Sequence, residues 1–482
     1  MQRRFFLTGA LTTVALPACA NAPDYSSRPA ARPADALIRS APGADRLVEE
    51  AGLGGKVGFV LSDANSGEVL ETYNPLRPLP PASVAKAATS LYALETLGAG
   101  FRFETRLIAT GPIRNGRLNG DLVLVGGGDP SLDSDGLYDL AAQAKAAGVR
   151  EVTGRLLVDS SALPSIDRID RTQSDTVGYN PAIGGLNLNF NRVHFSWTRT
   201  GNSYTTAMAG RTERFRPAVN TSTMRVVDRS LPVYTYDRVG DVDVWSVARG
   251  QLGNTGSRWL PVRNPDLYAG DVLRTMLRTN GIVVPAAQRG RGQGTVIGLT
   301  QSASLDRIVN SLLRFSTNLV AEVLGLTATA RNTGPPRNLG ASADTMSNWV
   351  MQRTRARRPD FDDHSGLNGT TRISASDMVQ LLTAPGAQAR LQPLMKELTL
   401  DGPPRQPVRA KTGSLNFVSG LAGYFNARSG RQLAFATFCA DIDRRAGLSI
   451  DQRDRPAGGS AWSRRSRSLQ FDLIERWAMV HQ

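Results

Sequence analysis

Ser83 and Lys86 stand three residues apart in "PLPPASVAKAATSLYALETLG", where a proline-rich run gives way to apolar residues at helical spacing. Residues three apart on a helix share a face, so this lysine can reach that hydroxyl. A serine hydroxyl is a poor nucleophile until a neighbouring base takes its proton. Lysine can be that base once burial or a nearby cation lowers its pKa, and both the helix N-terminus and Lys411 push in that direction. Read only as an N-cap, Ser83 is explained but Lys86 is not. The first turn of a helix favours negative charge, and a serine cap is normally followed three residues later by Glu or Gln. Two further short elements follow in order, Ser316-Thr317-Asn318 and Lys411-Thr412-Gly413. Five lysines (Lys56, Lys86, Lys145, Lys396, Lys411) stand among 57 Lys and Arg residues, and two of the five fall in these motifs. Arginine cannot give up a proton, which makes lysine's survival there informative.

The elements that must hold these residues can be read from periodicity. "KVGFVLSDANSGEVLETYNP" (56–75) reads as a hairpin around Asn-Ser-Gly, and the Ser83 helix continues through Leu91, Leu94 and Leu97. From about 105 to 295 the chain becomes a series of short strand patterns with Gly, Asn and Pro turns. Helical patterns return at 305–330 and 374–384, strands at 408–427 and 431–443, and a terminal amphipathic helix follows. The second motif then lies in a loop or helix start, and the third begins a strand. The fold class expected is α+β, with helices on an antiparallel sheet. The expected organisation is an export signal at 1–20, a linker at 21–43, a catalytic domain in two parts at 44–104 and 296–482, and between them a β-rich insertion of one or two small domains at 105–295.

A chain of 482 residues is too long for one core. Its formal charge of +15 comes from dispersed arginines, with short runs such as "RTRARRPD" and "WSRRSRS". This reads as a solvated basic surface rather than a nucleic-acid groove, with contact to an anionic polymer or membrane surface as a secondary reading. "MQRRFFLTGALTTVALPACA" has the basic, apolar and small-residue order of an export signal and is too short and interrupted to span a membrane. Its "RRFFL" is similar to a twin-arginine signal. "LPAC" resembles the box of a lipid anchor on Cys19, although Pro17 is unusual there, and cleavage after Ala18-Cys19-Ala20 is the plainer alternative. Cys439, in an apolar run, is the one other cysteine, so no intrachain disulfide is expected. His194, His364 and His481 have no metal-ligand spacing. "VGGGDP" lacks a phosphate-loop ending and "RGRGQG" is one short copy; both read as loops. His364 has no G-x-S-x-G partner and reads as structural or pocket-lining, and Asp362-Asp363 as serving the fold.

S-x-x-K, a Ser-x-Asn element and K-T-G in this order resemble the signature of penicillin-binding proteins and class A β-lactamases. With "GDLVLVGGGDPSL" (120–132), "YNPAIGGLNLNFNRV" (179–193) and "DHSGLNGTTRIS" (363–374), the sequence is similar to the class C low-molecular-mass penicillin-binding proteins, the D-alanyl-D-alanine carboxypeptidase/endopeptidase family, over most of its mature length. The resemblance implies a penicillin-binding/β-lactamase-like transpeptidase domain interrupted by the insertion. It implies a periplasmic serine DD-peptidase acting on peptidoglycan stem peptides without metal or cofactor, and β-lactams as covalent inhibitors. By it, Ser83 is the acylated nucleophile, Lys86 its proton acceptor, and Ser316, between the two lysines, the relay to the leaving D-alanine. Asn318 binds the substrate backbone, Lys411 and Thr412 its carboxylate, and Gly413 lets the substrate lie close to the strand. The N–H groups of Ser83 and Ser414 form the oxyanion hole. Thr317 replaces the family's usual Asp. Two rivals are a β-lactamase or esterase on the same scaffold, which the insertion argues against, and a non-enzymatic wall-binding protein, which intact Ser83, Lys86, Ser316 and Lys411 argue against.

Overall fold

The computed structural model describes residues 41–357, 359–400, 407–453 and 456–481. The export signal, Cys19 and nearly all of the linker lie outside them. The hairpin read at 56–75 forms as strands Lys56–Asp63 and Val69–Tyr73, with the Asp63 carboxylate accepting the Asn65 and Ser66 N–H groups at 2.9 Å. It joins an antiparallel six-stranded sheet in the order Lys396–Leu398, Val408–Leu415, Val418–Asn426, Gln432–Ala440, Lys56–Asp63 and Val69–Tyr73.

Both faces of this sheet are covered, which is why its central strands are apolar at nearly every position. Phe59, Leu61, Leu421 and Phe435 pack on one side with Trp462, Leu473 and Trp477 of the helix Gly459–Val480. Val60, Ala422, Ala436 and Phe438 pack on the other side with the helices Ala85–Leu97, Asn318–Thr333 and Ala375–Leu382. The expected α+β class, with helices on an antiparallel sheet, is what the chain adopts. Two element readings change. The stretch 305–330 is two helices, Leu305–Phe315 and Asn318–Thr333, and 408–427 is a hairpin turning at Asn416-Phe417.

The chain leaves this layer at Phe103 and returns at Ser302, and the two are tied together. The Phe103 N–H donates to Ser302 Oγ, and the Ser302 N–H donates to the Phe103 carbonyl, both at 2.9 Å. Between them lies a five-stranded mixed sheet built on Glu104–Ala109, Leu122–Gly126 and Leu156–Asp159. Three three-stranded sheets and the helices Ser134–Ala146 and Pro265–Thr279 complete the region. Those helices sit within the stretch read as strand patterns. One three-stranded sheet, Ser203–Ala209, Arg192–Thr200 and Thr255–Pro261, turns Phe195, Met208 and Leu260 inward to a separate apolar core.

Candidate active site

Ser83 lies in one turn of 3-10 helix, Ala82–Val84, that runs straight into the Ala85–Leu97 helix. It is therefore not the N-cap; Val84 holds that place and caps nothing with its side chain. The turn is shaped from outside. Ala82 has φ +47°, a left-handed conformation that an L-residue keeps only when its surroundings impose it. A Cβ on Gly366 (φ +72°) would collide with the Ala82 carbonyl, and one on Gly413 would collide with the Pro81 carbonyl and lie 2.9 Å from the Ser83 nitrogen. The turn is thus gripped between the loop after Asp363 and the strand Val408–Leu415, and glycine is required on both sides. The room that Gly413 leaves is taken by the Ser83 turn itself.

One helical turn on, Lys86 is fully buried while Ser83 remains partly exposed. Its Nζ lies 2.9 Å from Ser83 Oγ, 2.7 Å from Asn318 Oδ1 and 2.7 Å from the Ser365 carbonyl. Asn318 Nδ2 donates to the Tyr179 carbonyl at 2.9 Å, which fixes the amide so that its oxygen faces the lysine. Burial draws Lys86 down to about 8, while the nearby Asp363 and Glu322 carboxylates pull the other way. Neither is hydrogen-bonded to the lysine. Glu322 accepts the His364 and Ser365 N–H groups, one on each oxygen, at 2.9 Å. Asp363 accepts the Gly366 N–H at 2.6 Å and the Asn368 N–H at 2.7 Å. These bonds hold the loop that presents the Ser365 carbonyl. Burial raises both carboxyl groups above their usual range.

The second lysine is held differently. Lys411, in mid-strand, donates to Ser316 Oγ at 3.0 Å and to the Thr412 carbonyl at 2.7 Å. Burial first, and then the charge of Lys86, place it well below the ordinary lysine range. Ser316 has φ +61° and ends the helix Leu305–Phe315, while Asn318 begins the next helix. The break between them turns Ser316 toward one lysine and Asn318 toward the other. Thr412 and Ser414 are exposed on the same strand, whereas Gly413 is buried. Tyr179, Phe190 and Arg192 of the inserted region face Phe315–Leu319 across a cleft of about 150 Å³.

Residues 44–455 match the model of the D-Ala-D-Ala carboxypeptidase 3 (S13) family. The chain belongs to that family. It is a serine-type D-Ala-D-Ala carboxypeptidase. It is 27% identical over 414 residues to the D-alanyl-D-alanine carboxypeptidase DacB of Haemophilus influenzae, spanning 80% of this chain and 85% of that protein. It is also 27% identical to a D-alanyl-D-alanine carboxypeptidase of Actinomadura sp. (strain R39), across 81% of this chain and 79% of that one. In fold it resembles penicillin binding protein 4 (dacB) of H. influenzae, with TM-score 0.73 and 23% identity over 90% of this chain and all of that one. A structure of that protein in complex with a β-lactam matches with TM-score 0.72 and 21% identity.

In this S13 chain all three motifs meet in one place, but the division of labour is more specific than their order implies. Ser316 contacts Lys411 and not Lys86; Asn318 takes the contact to Lys86. Glu322 went unread in the sequence. It follows Asn318 by one helical turn, so the two share a face, and it is the one acid in a helix segment whose residues from Asn318 to Leu326 are all buried. That isolation was the available signal. His364 lies behind the cleft, its ring against Gly325, with Nε2 2.8 Å from Ser342 Oγ and Nδ1 3.4 Å from Met346 Sδ.

Proposed function

We propose that the chain is an exported, periplasmic serine DD-peptidase. It would hydrolyse the terminal D-Ala-D-Ala bond of peptidoglycan stem peptides, and cross-links between them, through an acyl-enzyme on Ser83. The observation that carries the reading is the environment of Lys86 Nζ. Two of its three neighbours, Asn318 Oδ1 and the Ser365 carbonyl, can only accept hydrogen bonds. When the amine is neutral its two N–H groups are taken by these acceptors, and its lone pair is left facing Ser83 Oγ. With a pKa drawn down to about 8, on the order of a tenth of the enzyme is in that form at pH 7.

In this scheme the Ser83 proton passes to Lys86 Nζ as Oγ attacks the carbonyl carbon of the penultimate D-alanine. The N–H groups of Ser83 and Ser414 take the developing oxyanion, typically worth ~3 kcal/mol per donor. Collapse breaks the C–N bond, Ser316 Oγ hands its proton to the departing amine, and the protonated Lys411, 3.0 Å away, returns one to Ser316. Lys411 and Thr412 bind the terminal carboxylate, whose charge favours the protonated form of Lys411. Water then cleaves the ester. A β-lactam ring opened by Ser83 keeps its leaving amine tethered, which explains covalent inhibition and accords with the β-lactam complex of the H. influenzae protein.

Labelling with fluorescent penicillin tests the reading. The wild type is expected to take one covalent label, and Ser83→Ala none. Lys86→Arg is expected to take none, because charge is kept and proton acceptance is not. An unlabelled wild type overturns the assignment of Ser83; labelled Lys86→Arg removes the proton-transfer role.

A further inference from the structure

A second cleft, of about 520 Å³, lies on the outer face of the sheet Ser203–Ala209, Arg192–Thr200 and Thr255–Pro261. On the central strand, His194 and Ser196 face away from the core that Phe195 enters. Register places Ala209 and Trp259 beside His194, and Ala207 and Ser257 beside Ser196. The loop after Ala209 folds back over this face, through Gly210 N–H to the Pro217 carbonyl, and brings Arg211 and Arg216 to the cleft.

The charges here are unanswered. Arg211 Nη1 lies 3.0 Å from His194 Nε2. A guanidinium can only donate, so Nε2 accepts and the ring carries its proton on Nδ1. Among the described residues Nδ1 has no partner, although His194 is only 6% exposed. Neither Arg211 nor Arg216 pairs with a carboxylate among the described residues, and no acid lines the cleft. The loop's Arg214 does have one, Asp135, 3.6 Å away, which also accepts from Thr212 Oγ1. Glu213 is exposed and pairs with neither arginine. Arg192 adds charge from behind Trp259, over whose ring it lies at 5.6 Å. Ser196 and Ser257 stand opposite each other in register, and among the described residues their hydroxyls have no side-chain partner.

We propose that this cleft binds a phosphorylated sugar. Its phosphate would sit against Arg211, Arg216 and the His194 Nδ1–H, and its hydroxyls on the Ser196 and Ser257 floor. Guanidinium and imidazole donors without competing acids favour a compact oxyanion. A pair of free hydroxyls suits a polyhydroxylated body, and the volume is that of a small-ligand site. The site shares no lining residue with the cleft beside Ser316, which Arg192 lines, and would let the inserted region hold a phosphate-bearing envelope glycan while the catalytic part works on peptide.

Isothermal titration of the whole chain with N-acetylglucosamine 6-phosphate tests this, with N-acetylglucosamine, inorganic phosphate and phosphatidylglycerol vesicles as separate arms. The sugar phosphate is expected to bind at least tenfold tighter than the sugar and more tightly than inorganic phosphate, weakening as salt rises. Arg211→Gln/Arg216→Gln should lose at least tenfold, and His194→Gln several-fold, while penicillin labelling at Ser83 shows that each variant is folded. Unchanged affinity in the double variant, equal affinity for the unphosphorylated sugar, or binding to the vesicles alone overturns the proposal.

Discussion

The two clefts treat charge in opposite ways. Around Ser83, the buried charged groups are met by fixed acceptors or donors: Lys86 by Asn318 and Ser365, Glu322 by two backbone N–H groups, Lys411 by Ser316. Around His194, two arginines and an imidazole converge with no acid between them. The first arrangement holds its groups rigidly and sets the proton affinity of one amine by burial. The second leaves electrostatic work for something to complete. A site built for chemistry is closed to slack, whereas a site built for recognition is open at its charges.

The sharpest way to break this contrast is to put slack, or its opposite, into the first cleft. Gly413→Ala drives a methyl group against the Pro81 carbonyl, where strand and turn are both backbone and cannot step aside. Overpacking of this kind costs about 1–3 kcal/mol. Because the strain falls on the Ser83 turn, acylation should drop more than the loss of stability accounts for, by about 100-fold, as misplacement of reacting groups does. Stopped-flow penicillin acylation beside urea unfolding measures both. Acylation within twofold of wild type would show that the turn is not gripped.

Glu322→Gln probes the charges behind the turn and should have a smaller effect. The amide can accept only one of the His364 and Ser365 N–H groups, so a buried donor is left facing a donor, at a cost of about 1–3 kcal/mol. The loop that presents the Ser365 carbonyl loosens, and the plateau rate should fall about tenfold. The pH profile moves separately. Glu322 raises the proton affinity of Lys86, so its removal frees the amine at lower pH. The acid limb of the acylation profile, expected near pH 8 in the wild type, should shift downward. A lower plateau with an unmoved limb would mean that Glu322 holds the loop and does not act on the lysine.

What could be read from sequence follows the range of the forces involved. Ser83-x-x-Lys86 and Lys411-Thr412-Gly413 were legible because helix and strand spacing bring their chemistry together locally. The apolar strands of the central sheet were legible for the same reason. The 3-10 turn that carries Ser83 into its helix was not legible, because Gly366 and Gly413, some 280 and 330 positions away, impose it. Glu322 went unread because its weight comes from burial, and the helix around it is buried on all sides from Asn318 to Leu326. The His194 cleft was not legible at all. Its loop arginines are 17 and 22 residues from the histidine, and only the register of Arg192–Thr200 with Ser203–Ala209 brings them back over it.

The two buried histidines give the finest comparison. Burial alone pushes His364 down to about 3, with Ser342 and Met346 on its nitrogens. His194 is also lowered, by burial and then by Arg211 and Arg216. In the unfolded chain both take a proton near pH 6.5. As pH falls below that value the unfolded state gains protons that the folded state refuses, so stability drops until the folded pKa is reached. For His364 that window runs from about 6.5 to about 3, with a slope of at most ~1.4 kcal/mol per pH unit. Urea unfolding between pH 4 and 7 should therefore show a shallower pH dependence in His364→Gln than in the wild type. Sugar phosphate in the second cleft supplies the missing negative charge and raises the proton affinity of His194 in the folded state. The ligand should flatten the wild-type slope by the His194 share and leave the His364 share untouched. If the ligand changes nothing in His364→Gln, where only His194 remains to respond, then the contrast between the two sites fails at the second one.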